Sequence, residues 1–155
     1  MRRVAILSTA SGNGKTTVGR ALAAQLGVPF HELDALHHGP DWTEATPEEL
    51  RTKVEPIVES EAWVIDGAYR GKLGDLVLEG ADLVVWLDLP LERALERRGA
   101  ARDRIERRDL EFQRAVARGY ARYAERSPGV VRVEASGAPE DIAAAVLREV
   151  TRVLH

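Results

Sequence analysis

Short, unbroken apolar runs alternate with helical patterns along the whole chain. "RVAIL" contains the run Val4–Leu7, which fits a strand buried on both faces. "KTTVGRALAAQLG" follows as a helix, closed by Gly27 at the position just past a helix end where glycine is favoured. "VPFHELD" predicts a second strand. "TPEELRTKVEPIVES" predicts a helix with Thr46 as its cap, Pro47 at the first helical position and Glu49 three residues after the cap, a full capping box. Pro56 should bend or end that helix. "AWVID", "ADLVVWLD" and "GVVRVEA" predict a third, fourth and fifth strand. A helical pattern runs from about Leu91 to Arg126, interrupted near Gly99. Another runs from about Pro139 to Leu154, with Ile142, Val146, Val150 and Val153 on one face.

Strands that are apolar throughout, separated by helices, imply a parallel sheet covered on both faces, an α/β sandwich. No internal repeat, low-complexity tract or linker interrupts the pattern, so residues 1–155 are expected to form one domain. Ligands of such sheets bind outside the carboxyl ends of the strands. Chemistry is therefore sought in Ser8–Thr17, Asp34–Trp42, Asp66–Arg70, Asp88–Pro90 and Ala135–Ala138.

Composition narrows the classes. Apolar residues make up 45% and charged residues 30% of the chain, as in ordinary globular proteins. A formal net charge of −3 argues against a general nucleic-acid binder, which carries basic excess. Cysteine is absent, which excludes disulfides, thiolate metal sites and cysteine nucleophiles. The opening "MRRVAILSTA" imitates a signal peptide, but its apolar run is far shorter than the roughly 7–15 residues of a secretory segment. No window approaches the ~18 apolar residues of a membrane span. A cytoplasmic protein with no membrane association is expected.

The stretch "ILSTASGNGKTTVGRAL" carries the strongest motif. It matches G-x-x-x-x-G-K-[ST] except at Thr9, where the pattern has its first glycine. Gly12 and Gly14 let the backbone curl so that successive N–H groups face phosphate oxygens. Lys15 adds a charged donor for the β- and γ-phosphates, and Thr16 offers its hydroxyl to magnesium. The following helix presents its positive end to the anion. Thr9 begins the loop, ahead of the closest phosphate contacts, and is accommodated with a negative φ. Ser11, Gly12, Asn13, Gly14, Lys15, Thr16 and Thr17 thus form an expected ATP site, with magnesium held by Thr16 and Asp66. GTPases read guanine through N-K-x-D, yet Asn13 is the only asparagine. Motor and AAA-type ATPases need a longer chain. Small P-loop kinases remain.

Two resemblances support that. "GNGKTTVGRALAAQLGVPFHELDALH" resembles shikimate kinase and the adenylate-kinase-like topology modulation proteins, in which a strand ending in Asp, here Asp34, follows the P-loop helix. "VIDGAYR" is similar to the adenylate kinase pattern D-G-[FY]-P-R, supplying Asp66 and Arg70, with Ala68 and Tyr69 in place of the aromatic–proline pair. From about Val84 to Val150 the chain resembles bacterial thymidylate kinases. "RDRIERRDLEFQRAVARGYARYA" looks like their lid and the helix after it, with Asp103, Arg104, Ile105, Glu106, Phe112, Gly119 and Tyr120 in register, and "VEASGAPEDIAAAV" continues the likeness. The thymidylate kinase D-R-[YH] motif and its serine–tyrosine–glutamine segment are not matched. The resemblances imply a nucleoside-monophosphate-kinase-like fold with sheet order 2-3-1-4-5, a lid at about 97–108 and an acceptor-binding segment at about 34–60.

Phosphoryl transfer needs cations around the transferring group. "ERRGAARDRIERR" concentrates six arginines, and Arg97, Arg102 and Arg104 are the expected catalytic ones beside Lys15; the alternative is a solvated face paired with interleaved acids. Asp66 ends a strand and suits magnesium held through water; Asp88 competes for that role on hydropathy alone. On the acceptor side stand Asp34, Trp42 and Arg70. Asp34 would serve a hydroxyl acceptor as base, whereas an ionised phosphate acceptor needs none. Arg70 offers a guanidinium fork for phosphate or carboxylate. His37 and His38 are adjacent and do not share a face. Tyr120 and Tyr123 read as core. The sequence favours an ATP- and magnesium-dependent kinase acting on a nucleotide. A hydroxyl-metabolite kinase and a nucleotide-binding regulator that does not transfer remain as alternatives.

Overall fold

The computed structural model describes residues 2–8, 15–37, 43–88, 107–126, 129–134 and 138–154. These form β1 (Arg2–Ser8), α1 (Lys15–Leu26), β2 (Phe30–Glu32), α2 (Leu33–His37), α3 (Pro47–Glu59), β3 (Ala62–Asp66), α4 (Arg70–Leu73), α5 (Leu76–Gly80), β4 (Leu83–Asp88), α6 (Arg107–Arg126), β5 (Val130–Glu134) and α7 (Pro139–Leu154). The strands make one parallel sheet in the order β2-β3-β1-β4-β5, as expected.

The apolar runs are explained by two cores, one on each face of the sheet. Val4, Ile6, Val64, Leu83, Val85 and Leu87 point to one face, where α1 and α7 cover them with Val18, Leu22, Ile142, Val146 and Val150. Ala5, Leu7, Trp63, Ile65 and Val84 point to the other, beneath Leu50, Val54, Leu73 and Val77. Tyr120 and Tyr123 of α6 pack against this second core. The buried Trp63 indole donates to the Val58 carbonyl at 3.2 Å, satisfying its polar edge. Gly19 seats α1 against β2, since a Cβ there would collide with the Phe30 ring.

Helix ends follow the sequence signals. Gly27 takes φ +69°, with its N–H on the Ala24 carbonyl and that of Val28 on the Ala23 carbonyl, a Schellman closure of α1. Thr46 caps α3 by accepting from the Glu49 N–H at 3.2 Å. At the amino ends of the strands, Arg3 locks three elements together. Its N–H donates to the Asp82 carboxylate (3.1 Å), its carbonyl accepts from the Asp82 N–H (2.8 Å), and its Nε donates to the Ser60 carbonyl (2.8 Å). The Arg2 guanidinium reaches the carbonyls of Leu26 and Gly27 at the end of α1.

Three expectations are corrected. β2 is three residues long and stops at Glu32, so Asp34 lies on α2 and not at a strand end. Glu32 pairs with Asp66, the last residue of β3, which leaves Leu33 no ladder to extend; Leu33 turns into the second core instead. Pro56 does not end α3, which runs on to Glu59. Burial of Leu50, Val54 and Val58, about 1.5–3 kcal/mol each, outweighs the ~3 kcal/mol cost of an interior proline. Val153 is 42% exposed, off the apolar face its spacing suggested. The helical pattern expected from about Leu91 to Arg126 is described only from Arg107 on, and the lid expected at about 97–108 lies outside the described residues except for Arg107 and Arg108, which open α6. Among the described residues no helix is long and apolar enough to cross a membrane.

Candidate active site

β1 and β3 are neighbours, with Ile6 opposite Asp66, and the Gly67 N–H donates to the Ile6 carbonyl at 2.9 Å. That bond carries the pairing one residue beyond β3 and fixes Asp66 beside the exit of β1. Gly67 then turns the chain with φ +105°, a conformation that L side chains rarely adopt. Across the same rim α1 begins at Lys15, and Thr16 in its first turn donates Oγ1–H to Asp66 Oδ2 at 2.9 Å. Asp66 is only 3% exposed. A hydroxyl and a carboxylate, both hard oxygen donors, thus meet at the positive end of a helix. That chemistry suits magnesium beside an anion. Thr17, the next residue, is exposed.

The segments that follow β2 and β3 are tied to each other a short way along the rim. Tyr69 takes φ +45°, left-handed backbone that costs a non-glycine residue about 1–2 kcal/mol. From there its phenol donates a short hydrogen bond to Asp34 Oδ1 on α2, and its ring meets His37 edge-on at 4.8 Å. Burial pushes the Tyr69 phenol well above its usual value. The hydrogen bond to Asp34 and the negative charges of Asp34, Glu44 and Asp66 add to the shift. The phenol therefore stays a donor across the physiological range. Lys72 makes a second tie. Its Nζ donates to the Ala45 carbonyl at 2.7 Å, lies within 3.5 Å of the His37 ring nitrogens and 3.8 Å from the Glu44 carboxylate. The Ala45 N–H donates to the His37 carbonyl at 2.9 Å, closing the neck of the intervening loop.

Of the residues singled out from sequence, Thr16 and Asp66 are brought into contact, and Asp34 stands exposed on the rim beyond them. Asp88 goes elsewhere: its Oδ2 accepts from Arg132 Nε at 2.6 Å, with Arg132 lying over the Trp86 ring. Lys15 and Arg70 open α1 and α4, placements of the backbone alone. Ser11, Gly12, Asn13, Gly14, Trp42, Arg97, Arg102 and Arg104 lie outside the described residues. Sequence reasoning did not single out Tyr69 or Lys72. The signal that could have found Tyr69 is an aromatic residue two positions after a strand-end Asp-Gly turn.

Comparison with known proteins bears on the fold and the family. A profile of the family described as ATPase family associated with various cellular activities (AAA) matches residues 5–68, the stretch from β1 to just past β3. The thymidylate kinase of Alkalilimnicola ehrlichii is 33% identical over 128 residues, covering 68% of this chain and 59% of that protein. The thymidylate kinase of a Synechococcus species is 46% identical over 63 residues, covering 40% of this chain and 30% of that protein. The chain thus spans between 30% and 59% of these two relatives' length. Among solved structures, a gluconokinase from Sinorhizobium meliloti 1021 superposes with a TM-score of 0.62 at 21% identity, over 98% of this chain and 93% of that one. A shikimate kinase from Aquifex aeolicus superposes with a TM-score of 0.66 at 20% identity, over 97% of this chain and 96% of that one. These two likenesses show a shared fold.

Proposed function

We propose that this chain, which belongs to the P-loop superfamily of nucleoside-monophosphate-kinase-like proteins, transfers the γ-phosphoryl group of ATP to a nucleotide. The observation that carries the proposal is the hydrogen bond between Thr16 and the buried Asp66 at the head of α1. A buried carboxylate is costly unless it is compensated, and here its partner is the hydroxyl of the phosphate-loop helix itself.

The roles follow from the chemistry. The N–H groups of Ser11, Gly12, Asn13, Gly14, Lys15, Thr16 and Thr17 hold the phosphate tail, and the Lys15 ammonium adds charge at the γ-phosphate. Thr16 and Asp66 would hold magnesium, Asp66 through water. That ion, when bound, neutralises charge on the β- and γ-phosphate oxygens. In transfer the bond from the γ-phosphorus to the β,γ-bridging oxygen breaks, and a new bond forms to an acceptor oxygen. Arg97, Arg102 and Arg104 are the cations proposed to meet the charge that spreads over the γ-phosphoryl oxygens. Asp34, Trp42 and Arg70 are proposed to hold the acceptor. A nucleoside monophosphate presents an ionised oxygen, so no proton has to move. The resemblance to thymidylate kinases in the second half of the sequence supports a nucleotide.

A second reading rests on a different observation. Asp34 stands exposed at the rim, and Tyr69 holds one of its oxygens. A hydroxyl acceptor would pass its proton to that carboxylate as the new bond forms. Incubation with ATP radiolabelled at the γ-phosphate and magnesium, against dTMP, AMP, shikimate and gluconate, separates the readings. Label on a monophosphate supports the first, and label on a hydroxyl compound supports the second. Mg·ATP binding by calorimetry without transfer to any acceptor rejects both in favour of a non-transferring binder. The absence of any heat with millimolar Mg·ATP rejects the site itself.

A further inference from the structure

The segment after β3 contains a backbone outlier at Tyr69, whose partly buried ring packs against the second core. Gly67 completes the turn out of β3, so the left-handed conformation at Tyr69 is an additional distortion. Left-handed backbone at a bulky residue persists only where the surroundings hold it, and such positions cluster at working sites. Here it is held from both sides. The Lys72 and Leu73 N–H groups donate to the Tyr69 carbonyl at 3.0 and 2.8 Å as α4 begins, and the ring edge rests on the buried His37. The effect of the conformation is to aim the phenol across the gap between two post-strand segments and onto Asp34 Oδ1.

We infer that Tyr69 is a positioning residue for phosphoryl transfer, occupying one oxygen of Asp34 so that the other faces the acceptor. The inference rests on the transfer reading above, and applies to either acceptor class. Asp34 is exposed on a helix of only five residues, and a carboxylate there would otherwise turn freely about its side-chain bonds. A fixed donor removes that freedom before the acceptor arrives, which is how preorganisation reduces the cost of binding. The raised phenol titration keeps the donor proton in place over the working pH range. The Lys72 tie steadies the same wall from its far end by holding Ala45 and His37. Its contacts go to backbone and to groups inside the wall, so positioning of Asp34 falls to Tyr69.

The test is a double-mutant cycle of Tyr69→Phe and Asp34→Asn in the whole chain. It reads kcat and KM for whichever of dTMP, AMP, shikimate and gluconate takes label fastest. Phe keeps the ring against His37 and removes only the phenol. Tyr69→Phe is expected to lower kcat/KM for the acceptor about tenfold, the usual scale for one hydrogen bond to a charged group. In the Asp34→Asn background the same change is expected to cost almost nothing further, because its target carboxylate is gone. A purely structural tyrosine would exact the same loss in both backgrounds. Equal losses in the two backgrounds, or a Tyr69→Phe enzyme as active as the parent with an unchanged melting curve, overturns the inference and leaves the kinase reading standing. No label on any of the four acceptors removes the transfer reading and this inference together.

Discussion

Asp66 and Asp88 occupy matching places, each the last residue of a strand flanking β1, and they meet different fates. Asp66 is buried and receives the hydroxyl of Thr16, from the helix that follows the phosphate loop. Asp88 is neutralised by Arg132 on the neighbouring strand β5, in a pair whose arginine side is 64% exposed. The first aspartate is oriented toward the first turn of α1, whereas the second is already committed to a cation within the sheet. A run of apolar residues ending in Asp therefore does not by itself mark a metal-side carboxylate. The partner across the rim decides.

Perturbing each side tests that contrast. The largest effect belongs to Lys15→Ala on the Asp66 side, which should reduce transfer about 10²–10³-fold through loss of a charged donor to the transferring group. The melting curve should be unchanged, as measured by calorimetric scanning. Asp66→Asn comes next. It should raise the magnesium concentration needed for half-maximal transfer about 10–100-fold, read by titrating magnesium at saturating ATP. Asp88→Asn is the control. It should leave magnesium dependence where it was and cost no more than about 1 kcal/mol of stability, as expected of an exposed ion pair, measured by denaturant unfolding. If Asp88→Asn shifts the magnesium requirement and Asp66→Asn does not, the two roles are reversed.

The smallest effect concerns the edge strand on the Asp66 side. Burial lowers the titration of His31 in β2 below its usual value of 6.5. The folded state thus binds fewer protons than the unfolded chain in that window, and stability should rise with pH through it. The contribution is fully present above about 6.5 and is lost as pH falls toward the depressed folded value. His31→Phe should flatten that slope in urea midpoints measured across mildly acidic pH.

Much of the fold is legible in the sequence because its signals are local. Val4–Leu7, the Thr46–Glu49 cap and Gly27 each act within one element or at its end. The Thr16–Asp66 meeting is legible at one remove, since parallel strands bring their carboxyl ends to one rim and both residues sit just there. The Asp34 arrangement is not. β2 ends early because β3, its only partner among the described residues, ends at Asp66, and α2 exists because Leu33 has a core to enter. Tyr69 reaches Asp34 only through a left-handed backbone that no sequence periodicity announces. Its partner lies 35 positions away. Pro56 shows the converse, a strong local signal overruled by the burial of Val54 and Val58 around it.

The Arg3 clasp, together with the Arg2 contacts to the end of α1, gathers the chain's opening residues at the pole opposite the strand-end rim. A capture handle fused ahead of Arg2 would anchor the molecule to a sensor chip by that pole. The strand-end rim would then point into the flow, suiting immobilised tests of the proposed nucleotide binding.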